Sequence, residues 1–125
     1  MEIHSQSIAQ LSAGLQRKDF SSEEVTRAFL DRINSLDHLY NAFITVNEEE
    51  AMSAATKADQ RIASGTNEIL TGIPIAHKDI FCSQGVKTSC GSRMLDNFIP
   101  PYDSTVISNF NDSGAIMLGK TNMDE

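Results

Sequence analysis

The sequence predicts an α/β protein, helical in its first half and turning to short strands in its second. Three observations carry this. Residues 21–37 combine a helix-start signal with a one-sided apolar stripe. The stretch TGIPIAHKDIF, residues 71–81, reads as an apolar strand that runs into His77, Lys78 and Asp79. Residues 103–118 give a capped helix, a glycine stop at Gly114 and the apolar run AIML. A helix joined to a strand by so short a turn is α/β organisation and favours parallel neighbours.

Taken in order, Ser7 with Gln10 forms a capping-box pattern, followed by Ile8, Leu11 and Leu15 on one face. Ser21 with Glu24 repeats the pattern. Behind it, Val25, Ala28, Phe29, Ile33 and Leu36 line one side of an amphipathic helix, opposite Glu23, Arg27, Asp31 and Asn34. NAFITV, 41–46, reads as a short strand. Asn47 is expected to cap a third helix, with Glu48, Glu49 and Glu50 in its positive first turn and Ala51, Ala54, Ala55, Ala58 and Ile62 on its buried face. Gly65 is the expected stop. A turn-rich connector leads to GIPIAHK, a strand in which Pro74 fits poorly at a central position. Residues 83–92 form a Gly/Ser loop without the spacing of a phosphate loop. Asp103 or Ser104 is expected to cap the next helix, whose face is Val106, Ile107 and Phe110. One more box, Asn122 with Glu125, has no helix behind it, and the chain is therefore expected to be the front of a longer protein.

The chain has 125 residues, a net charge of −7 and 40% hydrophobic residues. That size fits one small domain or a piece of a larger one. The acidic balance argues against a nucleic-acid-coating surface, which needs clustered Lys and Arg. The N-terminus lacks the basic start and apolar core of a secretory signal, and no apolar run reaches the roughly 18–20 residues that span a bilayer. A soluble cytoplasmic chain is expected, with no membrane partner. Cys82 and Cys90 are too few for a disulfide scaffold and are not at a metal-site spacing, so both are read as free thiols.

Lys78 is the candidate catalytic residue. Its apolar flanks imply desolvation, which disfavours the ammonium form, and a neutral lysine can accept a proton from a serine hydroxyl. A solvated Lys–Asp surface pair is the plain alternative. The local pattern provides no nucleophile.

LTGIPIAHKDIF, GVKTSCGSRMLDNF, PPYDSTV and GAIMLGKTNMDE, with SSEEVTRAFLDRI and LYNAFITV before them, resemble the opening section of the amidase signature family. AHKDIF and GKTNMDE are the specific segments. Within the family the sequence is most similar to the A (glutaminase) subunits of aspartyl/glutamyl-tRNA(Asn/Gln) amidotransferases. The resemblance implies helices and the first strands of a mixed-sheet fold, incomplete here, with residues 1–66 as a mainly helical region and 67–125 as the start of the α/β core. It implies that Lys78 is the general base of a Ser–cisSer–Lys triad. The nucleophile and the bridging serine would lie after GKTNMDE and so be absent. None of Ser83, Ser89, Ser92, Ser104 or Ser113 takes a nucleophile position, and Asp79 is a structural hydrogen-bonding neighbour. It further implies glutamine as substrate, subunits B and C as partners, misacylated tRNA met mainly through a partner, and no cofactor or metal on this chain. ATP and Mg would be used by the complex through the partner subunit. The alternatives are a stand-alone amidase and a non-catalytic assembly module.

Overall fold

The computed structural model describes residues 2–79, 81–86, 88–90, 94 and 98–122. A 3₁₀ turn at Ile3–Ser5 precedes α1 (Ile8–Arg17), α2 (Ser22–Tyr40), β1 (Phe43–Val46), α3 (Glu48–Ala63), β2 (Pro74–Lys78), α4 (Thr105–Ser113) and β3 (Ile116–Thr121). The fold is α/β, as the sequence predicts. Among the described residues the strands form one mixed sheet in the order β1-β3-β2, with β1 antiparallel and β2 parallel to β3. Strand β1, from the helical first half, thus joins the strands of the second.

The starts of α1, α2 and α4 form for the expected reasons. Ser7 accepts from the Gln10 amide while the Gln10 side chain accepts from the Ser7 amide, a complete capping box. Ser21 accepts from the Glu24 amide, and Ser104 rather than Asp103 caps α4 by accepting from the Ile107 amide. Asp103 instead accepts from the Gln84 amide at 2.6 Å, tying the connecting loop to the α4 entry. Asn47 stands at the α3 N-cap without a side-chain bond; its amide donates to Leu118 of β3 at 2.8 Å. Gly114 ends α4 in the left-handed region (φ 86°).

Two apolar clusters hold these elements. In one, Leu30 of α2 and Ala51, Ala55 and Ala58 of α3 pack on Ile116 and Leu118 of β3. The small residues let α3 lie close to the sheet. In the other, Leu11 and Leu15 of α1 meet Val25 and Ile73. The structure departs from the sequence expectations at several points. Helix α2 continues to Tyr40, where Asn41 ends it in the left-handed region. Ile8 and Val106, expected on buried faces, are exposed. Strand β3 continues past Leu118 to Thr121. Pro74 opens β2, at the edge of this sheet, where a missing amide donor breaks no ladder. The Asn122–Glu125 box extends into residues outside those described.

Candidate active site at the carboxyl ends of β2 and β3

Parallel strands leave their carboxyl ends side by side, the usual location of ligand sites in open α/β sheets. Here His77 pairs with Lys120 and Lys78 with Thr121. Lys78 is half-buried, not enclosed as its apolar flanks suggested, because the strand face that carries Ala76 is exposed. Lys78 lines a cleft of about 700 Å³ together with Ile75, His77, Phe81, Phe110 and Thr121. His77 is buried, and its ring meets Phe110 at 5.4 Å. Burial, with the Lys120 charge adding to it, holds the His77 imidazole below its ordinary range, so the wall beside Lys78 is neutral.

Among the described residues the fully enclosed lysine is Lys120, which sequence reasoning did not single out. Its Nζ donates to the Phe81 carbonyl and to Thr88 Oγ1 (3.0 Å), and lies 3.8 Å from Asp79 Oδ1. Burial pushes Lys120 down from the ordinary lysine range, while Asp79 pulls it back up. A slip in pairing explains how a lysine reaches this place. Ile75 pairs with Met117, but Ala76 pairs with Gly119, so β3 carries one residue more than β2 at Leu118. The extra residue reverses the alternation. Ile116 and Leu118 pack toward α2 and α3, whereas Met117 and Lys120 both meet the loop that follows β2, through Ser83 in one case and Phe81 and Thr88 in the other.

Asp79 is the hub of that loop and is itself completely buried. Its amide donates to the Thr121 carbonyl at 3.1 Å, and its carbonyl accepts from the Cys90 amide at 3.1 Å. Its Oδ2 accepts from the Ser89 amide (3.0 Å) and from Ser89 Oγ. Ser89 is therefore committed to Asp79. Ser83, also buried, donates to the Phe81 carbonyl. Ser104 and Ser113 belong to α4, as its N-cap and last residue, and Ser92 lies outside the described residues. Cys82 and Cys90 are free thiols, with Cys82 Sγ 3.6 Å from the Tyr102 hydroxyl. No helix among the described residues is long and apolar enough to cross a membrane.

The curated relatives come from several bacteria. The A subunit of the glutamyl-tRNA(Gln) amidotransferase of Saccharophagus degradans is 57% identical over 98% of this chain, which covers 25% of that relative. Its counterpart of the same description from Methylococcus capsulatus is also 57% identical, with the same coverage. The chain thus spans about a quarter of the length of the curated relatives it matches. Among solved structures, the peptide amidase of Stenotrophomonas maltophilia superposes with a TM-score of 0.90 at 33% identity, over 97% of this chain and 25% of that one. The family model for amidases matches residues 24–125, and with these likenesses beside it the chain belongs to the Amidase family.

Proposed function

We propose that this chain supplies the lysine of a Ser–cisSer–Lys amide-hydrolysing site, in the glutaminase subunit of a tRNA-dependent amidotransferase. The observation that carries the reading is the position of Lys78, at the carboxyl end of β2 and opening onto the cleft lined by His77, Phe81 and Phe110. Neutral Lys78 would take the proton of a serine nucleophile through a bridging serine, and the nucleophile would attack the side-chain amide of glutamine. The same proton would return to the departing nitrogen, leaving an acyl-enzyme and ammonia. Water would then release glutamate. In this reading both serines would lie in the three quarters of the relatives' length that this chain does not span. The remaining cover over Lys78 is placed there too, since the described residues desolvate it only in part.

Ammonia would pass to subunits B and C, which would hold the misacylated tRNA and use ATP and Mg to convert Glu-tRNA(Gln) or Asp-tRNA(Asn). This chain holds no cofactor in that scheme. A second reading, a stand-alone amidase, draws support from the peptide amidase likeness, but 33% identity there against 57% to the amidotransferase subunits favours the first. The test is ammonia release from glutamine. The full-length protein is expected to release it and to lose the activity on Lys78→Ala. The 125-residue chain is expected to release none, because a base without a nucleophile forms no acyl-enzyme. Release by the short chain, abolished by the same substitution, would overturn the reading.

A further inference from the structure

Lys120, the second lysine at the strand ends, has no part in the chemistry proposed for Lys78. It is completely buried, as is Asp79, and together they form an ion pair at 3.8 Å directly beneath the loop that follows Lys78. Such a pair is a poor device for stability alone. Desolvating both charges costs about as much as their attraction returns, and well-packed apolar residues often serve as well or better. What an apolar residue in place of Lys120 alone could not do is balance the Asp79 carboxylate. Asp79 is the residue after Lys78, and its carboxylate accepts two hydrogen bonds from Ser89. An uncompensated buried carboxylate there would favour the protonated form of Lys78, which is useless as a base.

We propose that Lys120 is a positioning residue for Lys78: it neutralises the buried Asp79 carboxylate and pins Phe81 and Thr88 of the following loop to the strand ends. The inference rests on the assignment of Lys78 as the base. Three ties converge on one ammonium: the Phe81 carbonyl, Thr88 Oγ1 and Asp79 Oδ1. Asp79 in turn anchors Thr121, Ser89 and Cys90 through its backbone and side chain. Together these bonds fix the backbone on the carboxyl side of Lys78, and so the direction in which its side chain leaves β2.

The other titratable groups facing the pair, among the described residues, are His77 on β2 and the thiols of Cys82 and Cys90 on the loop; Tyr102 lies behind Cys82. Helix α4 presents Phe110 to His77. Burial holds His77 below its ordinary range, so among the described residues the charged pair beside Lys78 is Asp79 and Lys120.

The test measures glutamine hydrolysis against pH in the full-length protein. Activity needs neutral Lys78, so the acid limb of kcat follows its protonation. Lys120→Gln keeps a donor for Phe81 and Thr88 but removes the charge; Lys120→Met removes both. In each, the acid limb is expected to move up by about one pH unit, the scale of a nearby unscreened charge. The double variant Asp79→Asn/Lys120→Met removes both charges, and its limb is expected at the wild-type position. A staple with no electrical role would lower kcat and leave every limb in place; that result overturns the inference. If neither single variant folds, as judged by circular dichroism, Asp79→Asn decides, since it removes the carboxylate and leaves the Lys120 charge. Its limb displaced to lower pH supports the charge balance, and a limb in the wild-type place overturns it. Lys78→Ala is measured alongside. Hydrolysis that survives it removes the assignment of the base itself, whereas its loss together with unmoved limbs removes only the role of Lys120.

Discussion

Gly119 of β3 lies so close to Thr45 of β1 that a Cβ on the glycine would sit 2.1 Å from the Thr45 carbonyl oxygen. Two further backbone atoms, Val46 Cα and Thr45 C, would be at 3.0 and 3.1 Å. Both ladders of β3 also slip near this point, between Phe43 and Thr45 on one side and between Ile75 and Ala76 on the other. The close approach and the slips set the phase in which the next residue, Lys120, faces the loop after β2.

Gly119→Ala should therefore strain the sheet itself, because the obstacle is backbone and has no rotamer to change. The expected loss is at the upper end of the roughly 1–3 kcal/mol of an overpacked core. Gly65→Ala is the comparison. Nothing lies within 4 Å of a Cβ there, and the cost is only that of its left-handed φ of 78°, about 1–2 kcal/mol. Denaturant unfolding of the two full-length variants checks this; equal losses would mean that the contact with Thr45 relaxes freely.

Asp59 of α3 caps a helix that begins 37 residues earlier in the chain. Its carboxylate accepts from the Ser22 amide at 2.7 Å and the Glu23 amide at 3.2 Å, two of the donors that the first turn of α2 leaves open. Asp59→Ala should cost about 1–2 kcal/mol, as for loss of a helix cap. Ser7→Ala breaks a box on the exposed start of α1 and should cost less, about 0.5–1 kcal/mol. Chemical denaturation gives both values, and a reversed order would mean that Asp59 is not the tie between α2 and α3.

The pH dependence of stability should carry a contribution from His77. Burial first, and the Lys120 charge second, lower its folded value below the unfolded 6.5. In that window the unfolded chain binds more protons than the folded one, so stability falls as pH drops below about 6.5 and is restored above it. His77→Leu removes the group. Its melting temperature should therefore fall less than wild type between about pH 7.5 and 5.5. An unchanged difference would assign the acid sensitivity to other groups.

Much of this fold is legible in the sequence because its signals are local. The Ser7, Ser21 and Ser104 caps, the alanine face of α3 and the Gly114 stop each depend on residues within a turn or two. The position of Lys78 at a strand end is legible for the same reason. What stays hidden depends on distant pairing. The apolar run AIML marks the start of β3, but its continuation through Gly119, Lys120 and Thr121 is decided by contact with β1 and β2. Strict alternation from Ile116 and Leu118 would turn Lys120 toward the helices. Only the slip in register turns it to Asp79, and no local pattern announces a slip. The Asp59 cap is hidden likewise, since its partners lie 36 and 37 residues away.

Arginine at position 78 separates a proton acceptor from a structural lysine. It keeps a long, basic side chain but stays protonated throughout the accessible range, so it cannot serve as the base. In the full-length protein assembled with its proposed partners, Lys78→Arg should lose glutamine-dependent amidation about as completely as Lys78→Ala. The loss should be at least on the order of 10²-fold, the scale of a general acid–base contribution. Ammonium chloride in place of glutamine should restore product in both variants, since the amidation step proposed for the partner makes no use of Lys78. The two assays together divide the outcomes. Near-normal glutamine-dependent activity in Lys78→Arg would show that position 78 needs only a cation. Loss with ammonium as well would show that the residue holds the structure of the β2 end and its loop, and that the base lies elsewhere.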